Sequence, residues 1–178
     1  MTNSQTALVR VVDSAGWSYL DALAPVTSLV WSSNYSGGPT AASFNLTADA
    51  GANIPHLTQG AAVTIHRGSS TLWAGRVATI DRDSWAVQCD GLGGLVAQEQ
   101  VSTSGAMTLD AQVDAAISNG LPLTRPASLS STKWGNANVT PTDGTTLDQL
   151  LSQVLSPTGY AWTVSISGVI SSAPLPTT

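Results

Sequence analysis

The sequence predicts a β-rich α+β protein: an antiparallel β-barrel or sandwich followed by a small α/β annex with two short helices and a hairpin. Three observations lead there. The run from Gly60 to Asp90, GAAVTIHRGSSTLWAGRVATIDRDSWAVQCD, reads as three consecutive strands joined by two tight turns. About seven strand-like runs, separated by turn residues, fill the first ninety positions, a spacing that suits barrels and sandwiches. After Asp90 the pattern changes, and apolar residues recur at helical spacing. The expected division is residues 1–90 as the β-domain, 91–172 as the annex and 173–178 as an extended arm or linker.

In chain order, Ala7–Asp13 is a short strand, and Asp13-Ser14-Ala15-Gly16 turns it onto Trp17–Leu20. Val26–Tyr35 is a longer strand with Leu29 and Trp31 on one face; Asn34–Thr40 is a turn. Ala41–Thr47 alternates Phe44 and Leu46 against Ser43, Asn45 and Thr47, and Ala48–Gln59 is a loop. In the Gly60–Asp90 run, Val63 and Ile65 alternate with Thr64 and His66, and Gly68 is free to take positive φ in the first turn. Strict period-two alternation puts Leu72, Ala74, Ala78 and Ile80 mostly on one side of the middle strand, with Trp73 and Val77 on the other. That predicts a strand buried on both sides. Gly75, inside it, predicts a bulge or bend. Trp85, Val87 and Cys89 share one face of the third strand.

In the annex, Gly91–Gln100 has the apolar residues for one or two helical turns. Thr108–Asn119 is a helix with Thr108 as cap, Asp110 in the first turn and Gly120 as terminator. Leu121–Pro141 is irregular. Thr145–Leu155 carries a capping box, Thr146-Leu147-Asp148-Gln149, and a leucine face at 3.6-residue spacing, stopped by Pro157. A helix this short is marginal alone, so that face must dock on something. The candidate interface residues are therefore Leu147, Leu150, Leu151 and Val154, together with Trp134 and Trp162. Tyr160–Ile166 and Gly168–Ser171 read as a closing hairpin.

Composition bounds the function. Of 178 residues, 42% are apolar and only 10% charged, against roughly 25% in an ordinary soluble protein. Such a polar but weakly charged surface opposes subunit packing little. A net charge of −5, with six scattered Lys and Arg, argues against a nucleic-acid-binding face. The single cysteine excludes an internal disulfide framework. The opening MTNSQTALVRVVD lacks the charge and apolar core of a signal peptide, and no apolar run is long enough to span a bilayer.

Chemistry-bearing motifs are scarce. No phosphate-binding glycine loop, nucleophile elbow, zinc helix or calcium-loop spacing is present, so no catalytic residue, metal or cofactor is expected. Cys89 with His66 is conceivable across neighbouring strands, but a small buried hydrophobe is the better reading of Cys89. Asp81-Arg82-Asp83 reads as a polar hairpin turn in preference to metal ligands. Trp31, Trp73 and Trp85 read as core. Trp17, Trp134 and Trp162 lie nearer turns or the annex, where an exposed ring could stack on a sugar, but core anchoring is the favoured reading.

The order of these features resembles the N-terminal half of phage tail-tip hub proteins, the tail-associated or baseplate-hub family, and minor tail proteins of phages that infect high-GC Gram-positive hosts. The resemblance runs through GAAVTIHRGSSTLWAGRV, WAVQCDGLGGLV and TTLDQLLSQVLSPTGYAWTV, which are hydrophobic patterns with glycines. It implies a structural virion component at the tail tip, not an enzyme. It further implies a homo-oligomer, with a trimer favoured, that contacts the distal tail protein, the tape measure and other tail-tip proteins, with the host cell envelope as a further candidate contact. The alternative reading is a carbohydrate- or envelope-binding module of the tail tip. Family hubs commonly return to a second barrel after the hairpin; this sequence stops there, which is expected of a shortened hub, of one piece of a split hub, or of a fragment.

Overall fold

The computed structural model describes residues 7–13, 16–20, 25–48, 52–54, 56–101, 105–126 and 137–175. The chain divides into two compact units, Met1–Ser33 with Pro39–Gly91, and Asn34–Gly38 with Leu92–Thr178.

The first unit is built on β1 (Leu8–Asp13), β2 (Gly16–Tyr19), β3 (Val26–Asn34), β4 (Gly38–Leu46), β5 (Ala62–Arg67), β6 (Ser70–Asp81) and β7 (Ala86–Gly91). These form one seven-stranded sheet in the order β2-β1-β5-β6-β7-β4-β3. Both tight turns of the central meander fall where the sequence puts them. The strand order follows from non-local pairing: β1 lies antiparallel to β5, and β4 to β7. The predicted Asn34–Thr40 turn is shorter in the fold, because Gly38, Pro39 and Thr40 already belong to β4.

One face of this sheet carries the core. Val9 and Val11 of β1 stand opposite Ile65 and Val63 of β5. These in turn face Trp73 and Gly75 of β6. Val77 faces Cys89 of β7, which faces Ala42 of β4, and Val87 faces Phe44. Leu20, Ile54, Leu57 and Ala61 complete the cluster from the connecting segments. The sheet is curled into a half-barrel. Trp73 Nε1 of β6 donates to the Ser32 carbonyl of β3 at 3.2 Å, although three strand spacings, about 14 Å in a flat sheet, separate the two strands.

Two details depart from strict alternation. A register shift between Val77 and Thr79 inserts an extra residue in β6, so Ile80 comes round to face Val87 and packs against the core. It therefore shares the face of Trp73 and Val77, not that of Leu72 and Ala74, because a bulge reverses the parity beyond it. The other face of β6 is also less buried than expected: Ala74 is covered, but Leu72, Arg76 and Ala78 are only half-buried. Gly75 is not the bulge. It stands directly opposite Gly91, and a Cβ there would strike the Asp90 carbonyl and the Trp73 ring. The residue is small because backbones and an indole approach closely, while the irregularities lie at Ile65/His66 and Val77/Thr79.

The second unit contains α1 (Leu92–Gln98), β8 (Met107–Thr108), α2 (Leu109–Ser118), β9 (Asn138–Val139), α3 (Leu147–Leu155), β10 (Tyr160–Val164) and β11 (Ile170–Pro174). Thr108 caps α2 through the Ala111 amide. The capping box of α3 is present, with Gln149 N donating to Thr146 Oγ1 at 3.4 Å and Thr146 N donating to Gln149 Oε1 at 3.0 Å. A 3-10 turn, Ser156–Thr158 with Pro157 in it, ends α3, and Gly159 reverses the chain at φ +77°. The β8–β9 pair is an addition to the sequence reading. It is two residues per strand, too short to carry a periodic signal. Ala173 and Pro174, expected in an extended arm, instead pair with Ala161 and Tyr160. Residues 176–178 of that arm lie outside the described residues.

Candidate functional site

The possible catalytic pair does not assemble. Cys89 is buried on the core face of β7, beside Val77 and Ala42. Burial, and then the neighbouring Asp90 carboxylate, push its thiol up to about 12. A thiol with that pKa is not a nucleophile at neutral pH. His66 sits on β5 in the alternate position to core-facing Ile65, with β6 between its strand and that of Cys89. Its ring nitrogens contact Thr64 Oγ1 at 2.8 Å and Thr71 Oγ1 at 3.4 Å. Burial and then the Arg10 guanidinium hold its pKa below the ordinary value, which keeps the imidazole neutral. A thiol reagent at pH 8 is expected to leave Cys89 unmodified in the native protein and to titrate one thiol per chain in denaturant. Rapid native-state labelling would contradict this burial.

Asp81 closes the β6–β7 turn. Its Oδ1 accepts from the Asp83 amide at 2.9 Å and the Ser84 amide at 3.3 Å, and its Oδ2 from the Ser84 hydroxyl at 2.6 Å. These bonds, led by that to the Ser84 hydroxyl, lower its pKa. The Asp81-Arg82-Asp83 stretch is thus a hydrogen-bonded turn. Arg82 reaches away from it, lying 5.0 Å over the Trp85 ring and donating to the Leu57 carbonyl at 2.9 Å. Among the described residues no group of three or more His, Cys, Asp or Glu is placed to hold a metal ion. An open groove of about 470 Å³ beside Thr58, Gln59, Gly60 and Ala62 has Arg76 as its one charged side chain.

The interface candidates lie as follows. Leu147, Leu150 and Leu151 are buried inside the second unit, where α3 packs against α1, α2 and β10. Val154 is half-buried beside Val139 and Thr140. Trp162 is buried on β10, and its Nε1 donates to Asp148 Oδ1 at 3.0 Å and Ser152 Oγ at 3.3 Å. Its backbone carbonyl accepts from the Gly37 amide at 3.0 Å, and its ring lies against Gly37. Gly38 follows at φ +77°, so close to the Val164 carbonyl that no side chain fits. Trp134, and the side chain of Trp17, lie outside the described residues.

Two polar anchors in this unit escaped the sequence reading. Asp148 and Ser152 are one helical turn apart and jointly hold the Trp162 indole. Replacing Trp162 by Phe keeps most of the ring but removes the donor to a carboxylate, at an expected cost of about 1.5–3 kcal/mol, measurable by urea denaturation. Asp110 and Asp114 also repeat at i,i+4. Arg125 donates to both Asp114 oxygens, at 3.0 and 2.7 Å, and pairs with Asp110 Oδ2 at 3.2 Å. Burial raises the Asp110 pKa against the opposing pull of Arg125. The signal was available: two carboxylates at i,i+4 repel unless a cation joins them.

The remaining feature is an edge. β3 ends the seven-stranded sheet, is nine residues long, and holds no charged residue and no proline. Val30 on its outer face is 63% exposed. Natural edge strands are usually blunted by charge, proline or short length.

No protein-family model matches the sequence, and no curated protein does. Solved structures do match. The 43 kDa tail protein of prophage MuSo2 from Shewanella oneidensis superposes with a TM-score of 0.62 at 14% identity, over 97% of this chain and 57% of its own. The tail protein from Neisseria meningitidis MC58 gives 0.55 at 14% identity, over 92% of this chain and 49% of its own. The fold is that of phage tail proteins. This tail-protein fold spans about half the length of each of those two chains, 57% and 49%.

Proposed function

We propose that this chain is a structural component of a phage tail, a minor tail protein that forms part of the tail-tip hub. There it closes the tail tube and joins the distal tail protein and tape measure to host-contacting parts. The observation that carries the reading is the tail-protein fold over 97% of the chain. The feature order of the sequence supports the hub position, and the low charge and uncharged edge strand support assembly with other subunits. In this role the chain works by shape and contact in the virion, as a homo-oligomer with a trimer favoured. The test is mass spectrometry of purified particles with a reconstruction of the tail tip. The expected result is the chain at the tip, in a ring of symmetry-related copies. Its absence from particles, or a position elsewhere in the virion, overturns the reading.

A further inference from the structure

We infer that the groove between β9 and α3 is a binding site for a neutral acetamido sugar, an N-acetylhexosamine. The groove has a volume of about 260 Å³ and is lined by Asn138, Val139, Thr140, Leu150, Gln153 and Val154. Leu150, Gln153 and Val154 stand at i, i+3 and i+4 of α3, so they share one face of the helix. On that face Val154 stays half-buried while Leu147, Leu150, Leu151 and Leu155 are covered. The other wall presents backbone. Leu109 N donates to the Ala137 carbonyl at 2.9 Å, and Thr108 stands opposite Asn138. Bonded and non-bonded positions alternate along an antiparallel pair, so the Asn138 amide and carbonyl point away from β8. Among the described residues no third strand joins this sheet, and no protein group bonds either atom. The side chains of Asn138, Thr140 and Gln153 have no protein partner there either. By contrast, Gln112 Nε2 donates to Met107 Sδ, and Gln149 Oε1 accepts from the Thr146 amide.

This lining selects a ligand by its chemistry. None of the six residues is charged, so an ionic ligand would find no counter-charge. The outward N–H and C=O of Asn138 match a ligand with one secondary amide, whose carbonyl accepts and whose N–H donates. The amides of Asn138 and Gln153 and the hydroxyl of Thr140 both donate and accept, which suits ring hydroxyls. Leu150 and Val154 supply apolar surface for an acetyl methyl. A peptide also carries amides, but strand addition needs a row of outward backbone groups, and β9 is two residues long. The volume lies below the roughly 300–1,000 Å³ of drug-sized sites, which suits a single sugar ring. The site lies wholly within the second unit and does not rest on the tail reading.

Titration of the ¹⁵N-labelled full chain with N-acetylglucosamine and N-acetylgalactosamine, followed by nuclear magnetic resonance, tests it. The expected result is a saturable shift of the Asn138 backbone amide and of the Asn138 and Gln153 side-chain NH₂ signals with at least one of the two sugars. Glucose, which lacks the amide, should leave them in place. Gln153→Ala removes an exposed side chain and should weaken binding about threefold to tenfold, the worth of one hydrogen bond, with the circular dichroism unchanged. Gln98→Ala, an exposed amide on α1 outside the groove, should bind as the wild type does. The inference falls if neither acetamido sugar shifts these signals, if glucose shifts them equally, or if Gln153→Ala binds undiminished. It falls equally if the blocked peptide acetyl-trialanine amide shifts them where the sugars do not, which would mean a peptide site.

Discussion

Trp73→Ala is expected to destabilise the first unit by about 3–5 kcal/mol, the range for deleting a fully buried aromatic side chain. Trp73 is 0% exposed and faces Ile65 across the β5–β6 ladder. Its ring lies over Gly75, and its indole N–H bonds the Ser32 carbonyl of β3. The side chain therefore does two things: it fills the concave face, and it ties an edge strand to the middle of the sheet. Without it the cavity is lined by strands that the ladder holds in place, so collapse is limited and the cost sits high in its range. Urea denaturation measures the loss. Hydrogen exchange should show β3 amides opening first in the variant. Trp73→Phe keeps most of the buried area and loses one hydrogen bond, at about 1 kcal/mol. A loss below about 1 kcal/mol for the alanine variant would mean that the indole is not the keystone of the curl.

Gly91→Ala is expected to cost about 3 kcal/mol or more, at or beyond the upper end for overpacking. Gly91 faces Gly75 across the β6–β7 ladder, and a Cβ there would collide with the Pro39 carbonyl and the Thr40 amide of β4. These obstacles are backbone held within a sheet, so no rotamer change relieves them. Gly60 is the control: it has φ +82° but open space around its Cα. Gly60→Ala should carry only the cost of the left-handed conformation, about 1–2 kcal/mol. The comparison separates steric from conformational demand, and equal denaturation midpoints for the two variants would refute the close approach at Gly91.

The candidate site was less legible than the fold. The sequence reading named the leucines of α3 as interface residues, because a nine-residue amphipathic helix must bury its face. Periodicity shows that a face is apolar but does not say what covers it, and α1, α2 and β10 do so within the unit. For Trp162 the sequence favours core anchoring over an exposed sugar-stacking ring, and its buried indole is held by Asp148 and Ser152, partners the sequence did not name. The expectation that Cys89 is a small buried hydrophobe agrees with its position, because alternation with Trp85 and Val87 reports the face directly. That β3 holds no charged residue is written in its sequence, but that it lies last in the sheet is a fact of topology.

The amino-acid sequence alone determined the strand-rich first half, both tight turns of the central meander, the caps of α2 and α3, and a low charge suited to assembly. Those features arise from interactions between residues within one turn or one strand of each other, so their signals are local and survive without a fold. Tertiary structure alone decided that β1 joins β5 and β4 joins β7, that a bulge carries Ile80 across the sheet, and that Gly75 meets Gly91. Strands with the same alternation are interchangeable partners until the whole sheet curls around one core, and only that closure selects among them.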